Sequence, residues 1–419
     1  MATQGESVCA REAAMGIVVA LRDAGHTAYF AGGCVRDELL ALEPADYDVA
    51  TDARPDRIRS LFRRTTEVGA SFGVVLVHDD GPVVEVATFR ADGPYTDRRR
   101  PDTITFSDPV ADAHRRDFTI NALFLDPLDD TGEPRSPRGG AVLDHVGGLR
   151  DIDARLIRAV GDPATRLAED HLRALRAVRF AARLGFTIHE GTADAIAAHA
   201  RELVGVSRER IGEELRRMLA HPARAQAVAL LSALGLDAPV LDTQPVEAPT
   251  PVLDSLPADA TYPAALAAWA IDRGALSSPD HGRATLRLWR RALCLSNDER
   301  DRMWEILTGV HLVDEQWGSL GVAQQKRTAA RPWFEDALCV LQARRPDRAR
   351  ALSREVQQLR SSPGGLAPTP LVTGDDLAEL GLSPGPRFKV LLDAAYDAQL
   401  EGGVATRAEA LELVRSLGV

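Results

Sequence analysis

The chain has 419 residues, of which 45% are hydrophobic, and a formal charge of -11, enough apolar content for about two to four packed domains. Arg11, Glu12, Arg22 and Asp23 interrupt the only apolar stretch near the N-terminus, so neither a signal peptide nor a membrane span is expected and the cytoplasm is the default. Cys9, Cys34, Cys294 and Cys339 lie far apart, which excludes a paired-cysteine zinc site or a disulfide framework. Net charge is an average and does not exclude nucleic acid. Lys326 and Lys389 are the only lysines among 50 basic residues, and the arginines bunch at 98–100, 115–116 and 173–183. That bias fits either a GC-rich genome or a clustered anion-binding surface.

In chain order, residues 8–24 have helical spacing, with Ala14, Ile17, Val18 and Leu21 on one face and Gly25 as the stop. Ala28-Tyr29-Phe30-Ala31, Gly32-Gly33 and the segment through Leu39-Leu40 read as strand, tight turn and helix. Asp46-Tyr47-Asp48-Val49 has strand character, and alternation points both carboxylates to one face. Asp52-Ala53-Arg54-Pro55 caps a helix through Leu61-Phe62. Residues 74–77 and 83–89 flank Asp79-Asp80-Gly81-Pro82 as a hairpin. Residues 90–102 form a polar, turn-rich loop, Arg115–Leu123 an amphipathic turn of helix, and residues 131–148 a loop that ends the first domain. From Arg166 no proline or glycine interrupts a helix until Gly185. On it Leu172, Leu175 and Val178 form the apolar stripe, and Asp170, Arg173 and Arg176 a neighbouring polar one. Ser207 caps a further helix on which Arg210 and Glu214 are an i,i+4 pair. Residues 220–361 read as amphipathic helices broken by a loop at 243–259, and residues 361–365 as a linker.

Three groups of residues carry chemistry. Amides at the Gly32-Gly33 turn, the helix that starts there and Arg36 together suit a phosphate. Asp46 and Asp48 repel each other unless a cation sits between them, and hard oxygen ligands beside a phosphate turn suit Mg²⁺. Arg116, Asp117 and Asn121 offer the polar mixture that a triphosphate and its ribose require, or a structural salt bridge. Asp170 with Arg173 pairs an acceptor with a planar donor that can read a base edge; the commoner use of the pattern is a surface ladder of ion pairs. Glu85 is either a solvated strand residue or a third carboxylate beside the pair.

Gly-Gly and Asp-x-Asp are each ordinary alone, but in this order and spacing they resemble the nucleotidyltransferase superfamily. Within it the chain resembles the class II tRNA nucleotidyltransferases (CCA-adding enzymes) and the related bacterial poly(A) polymerases. Arg115-Arg116-Asp117-Phe118-Thr119-Ile120-Asn121 is similar to the family's second signature, Glu169-Asp170-x-x-Arg173 to its base-selecting motif, and Ser207–Leu215 to the last motif of its neck. The likeness covers residues 25–220 strongly and 370–419 moderately. It implies an α+β head with a small mixed β-sheet followed by an all-helical neck, body and tail, divided as 1–148, 149–225, 226–365 and 366–419. It further implies transfer of C and A from CTP and ATP to the 3′ end of tRNA, with Asp46 and Asp48 as Mg²⁺ ligands and Glu85 as a secondary catalytic carboxylate. Gly32, Gly33, Arg36, Arg116, Asp117, Asn121, Asp170, Arg173, Arg176 and Arg179 would form the nucleotide site. The loop with Arg98, Arg99 and Arg100 would serve addition of the terminal A, although Arg98 stands where the family usually has glycine. Poly(A) synthesis, CC-only or A-only addition, and a non-catalytic RNA-binding protein that kept the fold are the alternatives. No protein partner is evident.

Overall fold

The structure is a computed structural model that describes residues 9–67, 73–78, 81–95, 101–246, 248–383 and 385–417. The chain divides into two compact units, Met1–Glu214 with Leu230–Val240 and Leu215–Ala229 with Leu241–Val419.

The first unit is built on a strand that is apolar on both faces. Ala28–Ala31 (β1) has Ala28, Phe30 and Ala31 buried, and both its edges are paired antiparallel, with Asp48–Thr51 (β2) and with Leu123–Asp126 (β8). Such two-sided burial requires cover on each face. One cover is Ala10–Asp23 (α1), whose buried residues are Ala14, Ile17, Val18 and Leu21, the stripe expected from spacing; Gly25 ends it with φ +85°, a conformation glycine adopts without penalty. The sheet has seven strands. Thr65–Glu67 (β3), Val74–Val77 (β4) and Val84–Thr88 (β5) lie beyond β2, and Ala141–Asp144 (β9) lies beyond β8, in the order β3-β4-β5-β2-β1-β8-β9. The β2–β5 pair is parallel and its neighbours antiparallel, so the sheet is mixed as expected. Ala31, Ala50, Phe89, Ala113, Ala122, Phe124 and Val160 pack into one cluster, with Phe89 and Phe124 edge to face at 5.8 Å. Burying each phenyl ring contributes about 1.5–3 kcal/mol.

Several local expectations are corrected. The long helix from Arg166 is two helices, Pro163–Glu169 (α6) and Leu172–Leu184 (α7), separated at Asp170, whose backbone is extended (φ −158°, ψ 103°). The break uses neither proline nor glycine: the Asp170 carboxylate accepts the Leu172 N–H at 3.1 Å, the competition with helical bonding that short polar side chains favour. Asp170 therefore lies at the helix start and not on a stripe with Arg173 and Arg176. Residues around 115–123 hold no α-helical turn; Pro109–His114 (α4) ends before them, and Thr119–Asn121 is a single 3-10 turn leading into β8. The loop expected at 131–148 contains strand β9, and the one at 90–102 begins with Arg90–Asp92 (β6), paired with Ile104–Phe106 (β7). Arg98, Arg99 and Arg100 lie outside the described residues. Asp52 does not cap the helix Pro55–Leu61 (α3); its carboxylate accepts the Thr27 N–H. On Arg208–Leu219 (α9), Arg210 reaches Asp170 and Glu214 accepts from Arg179, in place of the expected i,i+4 pair.

The second unit is helical throughout its described regular structure. A short helix, Pro251–Asp254, interrupts the loop expected at 243–259. Val313, Trp317, Phe334, Leu341 and Leu352 anchor one of its cores, and Val372, Leu377, Leu391, Val404 and Val414 another, formed within the C-terminal segment itself.

Candidate active site

Gly32 is the hinge between β1 and the helix Gly33–Leu39 (α2). It has φ +79°, a left-handed conformation that favours glycine, and a Cβ there would stand 2.9 Å from Nη1 of Arg116 and push that guanidinium aside. Arg36 does not project from this turn toward solvent. It is 2% exposed, and its guanidinium donates from Nε and Nη2 to Asp37 at 2.8 and 2.6 Å and from Nη1 to Asn121 Oδ1 at 2.5 Å. Burial pulls its pKa below the ordinary value, against the opposing pull of Asp37.

Asp48 is the first residue of β2, opposite Ala31 of β1, while Asp46 lies two residues earlier in the preceding loop. Because β2 and β5 run parallel with Val49 beside Val86, Glu85 falls next to Asp48. Burial, then the charges of Glu85 and Asp46, push the Asp48 carboxyl up to about 7, and Arg116 works in the opposite sense. Glu85 is raised by desolvation and then by Asp46, with Arg90 opposing. Among the described residues none of the three carboxylates has an ion-pair partner, whereas almost every neighbouring charge has one. Unpaired like charges at one sheet end are costly unless something outside the chain neutralises them. No group of three or more His, Cys, Asp or Glu side chains among the described residues forms a ready metal cage. The donor set instead fits a hard cation bound by one or two carboxylates and completed by substrate oxygens, the usual manner of Mg²⁺.

Tyr47, between the two aspartates, points the other way and is anchored. Its hydroxyl donates to Glu38 Oε1 at 2.8 Å, and Glu38 also accepts from Arg11 at 2.9 Å and from Ser136 at 2.5 Å. Its ring meets Phe30 edge to face at 5.2 Å. This buried anchor fixes the backbone that carries the carboxylates. Sequence reasoning missed Glu38, which follows Arg36 and Asp37 in a charged run of α2 and gives no signal of its own.

Arg116 stands beside the glycine turn, held by Asp112 (Nε to Oδ2, 3.1 Å) and by the Asn121 carbonyl (3.1 Å), over the face of Phe124. Asp117 accepts from the Phe118 N–H, from Asn121 Nδ2 and from Arg176 Nε at 2.8, 3.2 and 2.7 Å. Burial alone would raise its pKa; Arg176 and the hydrogen bonds outweigh that and hold it at about 2. Asn121 thus bridges Arg36 and Asp117, and the second signature is joined to the glycine turn on one side and to α7 on the other.

Asp170, in the break before α7, and Arg173, in its first turn, are held by separate supports. Arg173 Nη1 donates to the Arg166 carbonyl at 2.7 Å and to Glu169, leaving Nε and Nη2 without a partner among the described residues. Asp170 Oδ2 accepts from Arg210 at 2.6 Å. Arg166 reaches the carbonyls of His114 (2.7 Å) and Arg115 (3.2 Å), which ties α6 to the end of α4. Arg179 donates to Glu214 at 2.6 Å. Asp170 and Arg173 therefore do not pair with each other, and each keeps hydrogen-bonding capacity to spare.

A glycine turn at a helix start, followed by strand carboxylates on a mixed sheet, is the architecture of a nucleotidyltransferase head. Residues 28–158 match the poly A polymerase head domain, and residues 185–245 match the probable RNA and SrmB-binding site of polymerase A. The CCA-adding enzyme of Geobacillus thermodenitrificans is 43% identical over 224 residues, 53% of each chain, and that of Levilactobacillus brevis is 44% identical over 226 residues, 54% of each. The matched stretch thus spans about half the length of these curated relatives. The crystal structure of the Bacillus stearothermophilus CCA-adding enzyme in complex with CTP superposes with a TM-score of 0.72 at 31% identity, covering 96% of this chain and 97% of that one. The chain belongs to the CCA-adding enzyme family, and membership implies use of a divalent metal ion. A Thermotoga maritima CCA-adding enzyme complexed with tRNA shares the fold, with a TM-score of 0.66 at 18% identity.

Proposed function

We propose that the protein is a template-independent tRNA nucleotidyltransferase that adds C and A from CTP and ATP to the tRNA 3′ end and releases pyrophosphate. The observation that carries this reading is the unpaired carboxylate set Asp46, Asp48 and Glu85 beside the Gly32 turn and Arg116. Asp46 and Asp48 would hold Mg²⁺, which when bound polarises phosphate oxygens and lowers the pKa of the attacking 3′ hydroxyl. The chain's own groups do the remainder. The Gly33 backbone amide would face the triphosphate, because the Gly32 N–H donates to the Leu123 carbonyl; Arg116 neutralises its charge, and Asp117 and Asn121 anchor Arg176 and the buried Arg36 behind the turn. Asp170 and Arg173 present an acceptor and donors to the base edge, which replaces a template strand. On this reading residues 1–148 are the catalytic head and 149–225 the neck with the base-selecting motif, while 226–365 and 366–419 are the helical body and tail that grip tRNA. None of the four cysteines is in a disulfide, the state that a reducing compartment maintains, and we place the protein in the cytoplasm; no helix among the described residues is long and apolar enough to cross a membrane.

The test is incorporation of radiolabelled CTP into tRNA lacking its last three nucleotides, with Asp46→Ala and Asp48→Ala beside the wild type. Both variants should lose incorporation and keep tRNA affinity and melting temperature. Turnover near the wild-type level in either one would remove the metal-ligand assignment.

A further inference from the structure

One phenyl ring carries three of the arginines assigned to the nucleotide. The Cζ atoms of Arg36, Arg176 and Arg179 lie 5.0, 5.4 and 4.2 Å from the centroid of Phe180, a range at which a guanidinium is attracted to the ring's negative face. Each has its own carboxylate, Asp37, Asp117 and Glu214 respectively, so charge is balanced pair by pair. What the three share is the ring. Phe180 is 5% exposed and its ring meets that of Phe118 of the second signature in a T-shaped contact, centroids 6.0 Å apart. The glycine-turn helix (Arg36), the second signature (Phe118, and Asp117 through Arg176) and α7 therefore converge on a single side chain.

Each guanidinium is neutralised by its own carboxylate, but these carboxylates come from three different segments and none sets the spacing between the arginines. An aliphatic residue of similar volume would fill the space without offering a face to any of them. We infer that Phe180 is a positioning residue for nucleotide binding: its π face sets the mutual arrangement of Arg36, Arg176 and Arg179, and through it the phosphate turn is registered against the base-reading helix. This inference rests on the nucleotide-transfer reading above.

The test keeps the shape and changes the electrostatics. Phe180 is replaced by 4-fluoro-, 3,5-difluoro- and 3,4,5-trifluorophenylalanine through nonsense suppression, with Phe180→Leu as the aliphatic limit. KM for CTP and for ATP should climb stepwise with fluorine number, by about tenfold in all, and at least as far in Phe180→Leu, while kcat and the melting temperature stay close to wild type. Flat KM values across the series would overturn the inference and leave the ring as packing. A melting temperature that falls in step with the rise in KM would overturn it too, by assigning the ring to the fold. Equilibrium binding of CTP to the same series, measured without metal, reads the effect apart from turnover. A wild type that binds CTP but transfers nothing would sink the proposed activity and leave the Phe180 claim standing on the binding series.

Discussion

Replacing Asp170 by alanine separates base selection from structural support, because the structure shows what else that carboxylate holds. Oδ1 accepts the Leu172 N–H and Oδ2 accepts from Arg210, so about half of its roughly four acceptor sites are committed and the rest can face a base. Losing that partner leaves a base donor unsatisfied, at a cost of about 1–3 kcal/mol, which corresponds to roughly fivefold to about 150-fold in discrimination. The variant also breaks the Arg210 ion pair, whose side chains are 23% and 15% exposed; a partly solvated pair contributes about 1 kcal/mol. Arg210→Ala breaks the same pair while keeping the carboxylate, and so serves as the control. The assay is single-nucleotide incorporation with each of the four NTPs, scored as the ratio of kcat/KM for CTP to that for UTP. Asp170→Ala should lower that ratio by at least about fivefold; Arg210→Ala, which keeps the hydrogen bond to the Leu172 N–H, should lose no more stability than Asp170→Ala and keep most of the selectivity. An Asp170→Ala enzyme that is folded and retains the wild-type ranking of the four nucleotides would refute the base-reading role.

Two further outcomes are expected. Changing Arg98, Arg99 and Arg100 together to alanine should slow A addition more than C addition in single-turnover assays; equal slowing would reduce this segment to a general RNA contact. Asp117, held at about 2 against an ordinary 3.8, contributes stability that is fully present above the unfolded pKa and is lost as pH falls through the folded one. Asp117→Asn should therefore cost about 2 kcal/mol at pH 7 and show a flatter acid limb in urea unfolding between pH 4 and 2, and parallel curves for the two proteins would contradict the assigned pairing.

The parts of the molecule legible in the sequence were those set by local periodicity and by glycine. The stripe of α1 and the β1–turn–α2 unit follow from 3.6-residue and two-residue spacing and from a backbone that only Gly32 can supply. Long-range charge pairing was not legible. Arg36 reads as a phosphate-facing cation until Asn121, 85 residues away, is seen to accept its Nη1 hydrogen bond. Arg210 and Glu214 have ideal i,i+4 spacing, yet partners from other segments, Asp170 and Arg179, take them. The break at Asp170 escaped for a related reason: its helix-ending conformation is fixed by a side-chain hydrogen bond and a tertiary ion pair, neither of which changes the residue pattern. Phe180 carried a helical apolar signal only, and its three arginines reach it from two different helices.

The most direct measurement of the central claim uses tRNA transcripts ending one, two and three nucleotides short of the mature 3′ end, each incubated with Mg²⁺ and one labelled NTP at a time. The account predicts C on the two shorter transcripts, a single A on the longest, and no incorporation of GTP or UTP. Addition of A without limit to all three, or no incorporation into any of them, would contradict it.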